Sequence, residues 1–349
     1  MFRNAVFLAC ALLLLVVHAK AGTAADWRSR TIYQLLTDRF AGSANTPKCT
    51  NLGSYCGGTF SGIVSKLDYI QGMGFDAIWI SPVVDNTDGG YHGYWARNIN
   101  KVNSNFGTAS DLELLVKECH KRGMWVMVDV VGNHMGYGAP SAEFAPLSDP
   151  SNYHDCNACP QYCNIDDFGD QNQVELCRLV GLPDLNQTNP YVSNVLTTWI
   201  HDLVANYSFD GIRIDTVCEV NKAFWGDFKE ASGVYSVGEV NNGDVGYVSS
   251  YQSTTPGTNA PGVDGTLSYP LYYSIRVSFA IPSIVTILYL LPPKLVFCPR
   301  LTFFFLFFPL ECFCQEAVVQ TNTRHVGELS NVFRRHQSAG HVRRQPRQP

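Results

Sequence analysis

Five short runs rich in β-branched and aromatic residues, TIYQLL, FDAIWISPV, MWVMVDVV, FDGIRIDT and YSVGEV, recur through residues 26–275. Amphipathic stretches such as ASDLELLVKECHKRG separate them, and Gly-containing turns (QGMGF, KRGMW) lead into the next run. Apolar residues at helical spacing, then a glycine, then a short β-branched run, repeated, predict strands joined by helices and therefore a parallel sheet. Several runs end on polar residues at the carboxyl side: Asp38-Arg39, Ser81, Asp129, Asp215 and Glu239. Polar groups gathered at that one edge are the pattern of a (β/α) barrel's active face. A stretch over about 135–190, rich in Asn, Asp, Pro, Gly and Cys, is too long for a simple connection and reads as a small subdomain inserted after the third strand. It divides a first barrel part, 22–134, from a continuation, 191–276.

With 349 residues, 46% of them hydrophobic, the chain can bury one large core, and a formal charge of -5 gives no reason to expect a nucleic-acid partner. Residues 1–21 hold Arg3, the apolar run AVFLACALLLLVV and Ala19-Lys20-Ala21, the layout of a secretory signal peptide and its cleavage site. An exported, extracellular chain changes the reading of twelve cysteines. Cys49/Cys56 and Cys163/Cys177 lie in loop-like stretches where a disulfide could staple the backbone. Cys156-x-x-Cys159 could be a zinc or redox motif, but no second CxxC or His pair accompanies it, and disulfides suit the compartment better. NQT at Asn186 and NYS at Asn206 are acceptor tripeptides for N-glycosylation.

Two carboxylates stand at strand ends, Asp215 after GIRI and Glu239 after YSVG. Hydrolysis of a glycosidic bond needs one carboxylate as nucleophile and a second, protonated, as general acid, about 5–5.5 Å apart in the retaining geometry. Arg213 shares a strand face with Asp215 because side chains alternate with period two, and its charge is expected to hold Asp215 ionised. On spacing alone, an ion pair at a barrel rim accounts for Arg213 and Asp215 equally well.

GIRIDTV, GEV, DVVGNH, YHGYW, LPDL and the opening ADWRSRTIYQLLTDRF together resemble the α-amylase family of glycoside hydrolases, in its secreted fungal-type branch, over about residues 25–275. The resemblance implies a (β/α)8 TIM barrel with an insert after the third strand, acting as a monomer on internal α-1,4 bonds of starch and related glucans. It assigns Asp215 as nucleophile, Glu239 as acid/base and Arg213 as the arginine beside the nucleophile. His134 and His92 would contact sugar hydroxyls, Tyr94 and Trp95 would stack on a glucose ring, and Gly243 would line the substrate path; core packing is the alternative for the two aromatics. It also implies Ca2+, held by Asn133, Glu175, Asp184 and the backbone carbonyl of Glu219, a set of hard oxygen donors, with a Cys163–Cys177 bridge steadying Glu175. One departure is clear: where the family pattern has Lys and His after the RIDTV motif, this chain has Cys218 and Glu219, and a thiol cannot replace a cationic donor.

The resemblance fades after DGTLSYPLYYSIR. The last barrel strands, a motif like FVENHD with its transition-state-stabilising aspartate, and a C-terminal β domain do not follow. Instead comes VSFAIPSIVTILYLLPPKLVFCPRLTFFFLFFPLECFCQ. Its longest clean apolar stretch, about 279–291, falls short of the roughly 20 residues a membrane span needs. Phe, Leu, Pro, Ser and Cys are what pyrimidine-rich codons encode, so the segment reads as a translated intron, and residues 277–349 as an aberrant tail. Shifted by one nucleotide, codons compatible with the final HVRRQPRQP can spell Thr-Phe-Val-Asp-Asn-His-Asp-Asn. On this reading the chain as written has impaired folding and hydrolysis, and an inactive carbohydrate-binding relic is the alternative. Sequencing the mature transcript is expected to show YYSIR joined to an in-frame coding segment; VSFAIPS persisting there would exclude the intron.

Overall fold

A computed structural model describes residues 22–43, 45–253 and 261–277. Residues 1–21, expected to be a signal segment, and all but Val277 of residues 277–349, expected to be an aberrant tail, lie outside the described residues. Contacts divide the chain after Tyr269, and the described residues 270–277 are helical. Among the described residues no helix is long and apolar enough to cross a membrane.

The strands are β1 (Ile32–Gln34), β2 (Ala77–Ile80), β3 (Val84–Asn86), β4 (Ala96–Val102), β5 (Trp125–Val131), β6 (Gly211–Asp215), β7 (Tyr235–Gly238) and β8 (Gly265–Thr266). Six form one parallel sheet in the order β1-β2-β5-β6-β7-β8, and β3 and β4 pair as an antiparallel hairpin. This is part of a (β/α)8 barrel wall, and each of the five apolar runs read from sequence supplies one strand. The sixth, β8, is two residues long and carries no apolar run for sequence to reveal.

The helices against the sheet are α1 (Phe60–Val64), α2 (Leu67–Gly72), α3 (Ala109–Lys121), α5 (Pro190–Tyr207) and α6 (Lys222–Ser232); the short α4 (Gln171–Leu176) lies in the insert and α7 (Val245–Ser249) follows β7. Helix α3 starts on a capping box in which Thr108 and Asp111 satisfy each other's backbone N–H groups. It turns Leu112, Leu115, Val116 and Cys119 onto one buried face. Asn189 with Pro190 starts α5, and Asn221 caps α6.

Alternation splits the core in two. Outward-facing Ile78, Ile80, Val126, Val128, Val130, Ile212 and Ile214 pack with the helices into the main cluster. Ala77 and Met127 face the other way, forming a second cluster with Trp27, against which Trp79, Trp125, Tyr235 and Val237 pack. Trp27 plugs this end: its ring lies 5.0 Å from Trp125 and 5.8 Å from Tyr235, and its Nε1 donates to the Asp210 carbonyl at 3.2 Å.

The insert between β5 and α5 is built from single turns, the short helix α4 and isolated bridges such as His134↔Asp184 and Tyr153↔Leu185. Cys49 pairs with Cys56 as expected. The expected Cys163–Cys177 bridge is corrected: Cys163 pairs with Cys156 and Cys177 with Cys159. A left-handed turn at Tyr162 and Cys163 (φ 70° and 62°) brings Cys163 within 5.1 Å Cα–Cα of Cys156. Cys177, ending α4, then meets Cys159 over Ile165 and Val174. Spacing cannot settle such a choice, since four cysteines allow three connectivities. Non-reducing peptide mapping is expected to recover 49–56, 156–163 and 159–177 linked fragments; a 163–177 fragment would overturn this arrangement.

Candidate active site

The site is built by register. Asp129 on β5 lies beside Arg213 on β6, Val131 beside Asp215, and Arg213 beside Val237 on β7. Asp129, Arg213 and Asp215 share the parity of the inward-facing cluster and so project inside the curved sheet near its carboxyl edge. The chain leaves β7 at Glu239, whose N–H donates to the Ile214 carbonyl and whose own carbonyl accepts from Val217 N–H, which holds it beside Asp215.

Arg213 organises the cluster. Nη1 donates to Asp129 Oδ1 at 2.9 Å and Oδ2 at 3.1 Å, and to Asp215 Oδ1 at 2.7 Å, while Nη2 lies 2.7 Å from Glu239 Oε2. Asp129 also accepts from Tyr94 Oη at 2.8 Å and Trp79 Nε1 at 3.0 Å, and Glu239 Oε1 accepts from Tyr269 Oη at 2.6 Å. Sequence reading put Asp129 on the polar edge without giving it a role in the site, and left Tyr269 out. Parity in VMVDVV also points Asp129 to the face of Arg213 and Asp215; Tyr269, 30 residues beyond Glu239, has no local signal.

Three carboxyls share one guanidinium, so they cannot all ionise. Burial, joined by the negative charges of Glu239 and Asp129, pushes Asp215 well above the ordinary aspartate range despite Arg213. Burial also pushes Glu239 up, but Arg213 and hydrogen bonds from Tyr269 and Asp215 outweigh it and hold Glu239 low. This corrects the expectation that Arg213 keeps Asp215 ionised: the guanidinium is divided among three acids, and burial raises Asp215 and Asp129 while Glu239 is held low. Asp215 and Glu239 are also in mutual hydrogen-bond contact.

His92, Tyr94 and Trp95 sit in the loop between β3 and β4. Gly93 makes the turn at φ 92°, where a Cβ would meet the Pro82 carbonyl oxygen at 2.7 Å. His92 stacks on Tyr94 with centroids 5.6 Å apart and accepts from Tyr94 N–H through Nδ1 at 3.1 Å. Burial and Arg39 lower it to about 4, so it is neutral near pH 7. Trp95 meets His92 and Tyr137 edge-on and is half-buried, as is Tyr94. Gly243 lies exposed in the loop before α7, and no hydrogen bond ties it to the carboxylates.

His134 fixes a second feature. It is buried, which lowers its pKa to about 4, and its Nε2 lies 3.1 Å from the Tyr94 carbonyl oxygen, which can only accept. A neutral ring donating there must accept at Nδ1, 3.3 Å from Asn133 Nδ2. That orients the amide so that the Asn133 side-chain oxygen faces Asp184 Oδ1 at 3.0 Å and the Glu219 carbonyl at 3.2 Å. Rotating the amide would provide donors to both oxygens, but only by making buried His134 a cation. Three converging oxygens, one of them on Asp184, which burial raises to about 7 when no cation faces it, fit a hard cation such as Ca2+. Glu175 accepts from Gln171 Nε2 at 2.7 Å, and the same nitrogen reaches the Cys218 carbonyl at 3.2 Å, next to the Glu219 carbonyl. Among the described residues no three His, Cys, Asp or Glu side chains cluster as metal ligands; the cradle consists of one carboxylate, one amide and one carbonyl. Cys218 Sγ donates to Glu219 Oε2 at 3.1 Å, so the departure from the family pattern places a buried thiol–carboxyl pair here.

A carboxyl whose folded pKa is raised contributes stability below its unfolded value and loses it as pH rises. Asp215→Asn is therefore expected to raise the free energy of unfolding by urea relative to the parent at pH 8, by about 1 kcal/mol, and by less at pH 5. A difference that shrinks with rising pH would contradict the crowded, protonated Asp215.

Residues 34–256 match the family model described as the α-amylase catalytic domain. An α-amylase of Saccharomycopsis fibuligera is 47% identical over 273 residues, 73% of this chain and 52% of that protein, and α-amylase 2 of Schwanniomyces occidentalis is 46% identical with 73% and 51% covered. Among solved structures, an α-amylase from Malbranchea cinnamomea superposes with TM-score 0.65 at 45% identity, over 72% of this chain and 54% of that one. An α-amylase from Geobacillus thermoleovorans, solved with acarbose, gives TM-score 0.60 at 37% identity, with 70% and 53% covered. The chain spans about half the length of the curated relatives it matches. Its motifs, its parallel barrel sheet and a family match over 34–256 agree, and the chain belongs to the α-amylase family.

Proposed function

We propose that the cluster around Arg213 serves retaining endo-hydrolysis of α-1,4-glucosidic bonds in starch and related glucans. The observation that carries the reading is the pairing of Asp215 and Glu239 through one guanidinium at strand ends of the sheet. In the retaining reaction Asp215 attacks the anomeric carbon while Glu239 gives a proton to the departing oxygen. A glucosyl ester on Asp215 results, and Glu239 then takes a proton from water to release the sugar with its α configuration. The shared proton must pass from Asp215 to Glu239 before attack. A sugar oxygen that displaces the contact between Glu239 and Arg213 removes what holds Glu239 low and favours that transfer.

The remaining residues orient. Asp129 holds Arg213 and the Tyr94 hydroxyl; the Tyr94 ring, half-buried beside Arg213, offers its face to a pyranose. His92 and His134 are neutral near pH 7, so they are suited to hydrogen-bonding sugar hydroxyls rather than to carrying charge. Acarbose on the Geobacillus neighbour supports an oligosaccharide ligand here. Ca2+ would be held by Asn133, Asp184 and the Glu219 carbonyl, with Glu175 at the edge, tying the insert to the turn after β6. It supplies positive charge to a converging set of oxygens and takes no part in bond cleavage. The disulfides and the leader-like residues 1–21 support secretion, and the net charge of -5 suits a chain that acts without nucleic acid.

The test is reducing-sugar release from soluble starch with the anomer read by NMR. The in-frame spliced product is expected to give α-anomers, with Asp215→Asn and Glu239→Gln each losing about a thousandfold or more in kcat, and the 349-residue chain to be impaired. β-Anomers, or undiminished turnover in either variant, would overturn the assignment; starch co-sedimentation without any turnover by the spliced product would favour a binding relic.

A further inference from the structure

The two oxygens of Glu239 have partners of different kinds. Oε2 lies 2.7 Å from the Arg213 guanidinium and accepts from Thr216 N–H at 3.3 Å. Oε1 accepts from the Tyr269 hydroxyl at 2.6 Å. A guanidinium favours the ionised carboxyl, because the cation loses its counter-charge when the acid takes a proton. A hydroxyl keeps its bond in both forms, since the carbonyl oxygen of a neutral carboxyl still accepts.

The backbone delivers Tyr269 to this point without any motif. Asp264 Oδ2 accepts from Ser236 N–H and Oγ, both at 3.0 Å, and Asp264 N–H donates back to Ser236 Oγ at 3.1 Å. That reciprocal contact sets β8 on β7 in parallel register, with Val237 beside Gly265 and Gly238 beside Thr266. Past β8, Leu267 N–H donates to the Gly238 carbonyl at 3.0 Å, and Tyr269 N–H donates to the Leu267 carbonyl at 2.9 Å. Gly238 immediately precedes Glu239, so the stretch of backbone that presents the acid also seats the half-buried tyrosine.

We infer that Tyr269 is a positioning residue for hydrolysis: its hydroxyl keeps Glu239 Oε1 through both half-reactions and thereby assigns Oε2 as the oxygen that exchanges the proton. The inference rests on reading Glu239 as the acid/base, and it adds which of its atoms acts and what holds that atom in place. In the first half-reaction an Asp215 oxygen bonds to the anomeric carbon, the bond from that carbon to the departing oxygen breaks, and the proton on Oε2 goes to the departing oxygen. In the second, a water oxygen bonds to the anomeric carbon, the ester bond to Asp215 breaks, and the water proton returns to Oε2. When a sugar oxygen displaces Arg213 from Oε2, the bond to Tyr269 still fixes the direction in which the carboxyl points. The charged and titratable groups that face Glu239 are Arg213 and Asp215 from β6, Cys218 and Glu219 from the turn after it, and His134 after β5. Tyr269→Phe leaves all of them in the chain and removes one hydroxyl.

The contact is read first, without turnover, on the full 349-residue chain carrying 13C-labelled glutamate. The Glu239 carboxyl signal is identified by its loss in Glu239→Gln, and Tyr269→Phe is expected to raise its titration midpoint by about one pH unit. Coincident midpoints in parent and variant, at a shifted or an unfolded value, would overturn the inference. The role is then read as kcat/KM, which reports the first half-reaction, on the full chain and on the in-frame spliced product. Two substrates are compared: maltopentaose, whose departing oxygen needs a proton, and α-maltotriosyl fluoride, whose fluoride leaves with little help from an acid. Tyr269→Phe is expected to lose about thirtyfold on the first and less than about threefold on the second. Equal losses on both would show general damage to the fold and overturn the positioning role, while the hydrolytic reading stands. A parent inert on both substrates sinks the hydrolytic reading itself, and the inference with it.

Discussion

A single guanidinium inside a curved parallel sheet constrains much of the rest of this site. Arg213 is buried, and a buried cation persists only where acids neutralise it and satisfy its donors. Asp129, Asp215 and Glu239 supply those acids from three adjacent strands, and only a parallel register aligned at the carboxyl ends brings them to one point. Removing one strand from this arrangement would leave a charge unpaired in a water-poor interior.

The same crowding explains the distribution of protons. An arginine next to one aspartate would depress its pKa, as the local sequence suggests. Divided among three carboxyls, it cannot hold all of them ionised, and burial with the neighbouring negative charges raises both Asp215 and Asp129. Tyr269 contributes from 30 residues beyond Glu239 by donating to it, so the balance between the two acids rests partly on a residue that no motif contains. Catalytic carboxyls are tuned by such unequal environments.

Orientation passes outward from this centre by hydrogen bonds whose direction is forced. The Tyr94 hydroxyl is held by Asp129, the Tyr94 carbonyl dictates which nitrogen of His134 donates, and that ring dictates which way the Asn133 amide faces. The consequence is a set of converging oxygens between the insert and the turn after β6, linked through Tyr94 to the carboxylate cluster. Cys218 and Glu219 alter the side chains at that turn, yet the Glu219 carbonyl keeps its place because it belongs to the backbone.

The amino-acid sequence by itself determined the alternating strands and helices, the polar carboxyl edge, the presence of an insert and the pairing of Asp215 with Glu239. Each is set by local periodicity or by contiguous motifs, and period-two alternation alone places Arg213 and Asp215 on one face. Tertiary structure decided what depends on distance in space rather than along the chain. It brought Asp129 onto Arg213, supplied Tyr269 to the site, and paired Cys163 with Cys156 and Cys177 with Cys159. It also set the opposite pKa shifts of Asp215 and Glu239, because an acid's pKa depends on how much water and how many charges surround it, and sequence spacing carries neither quantity.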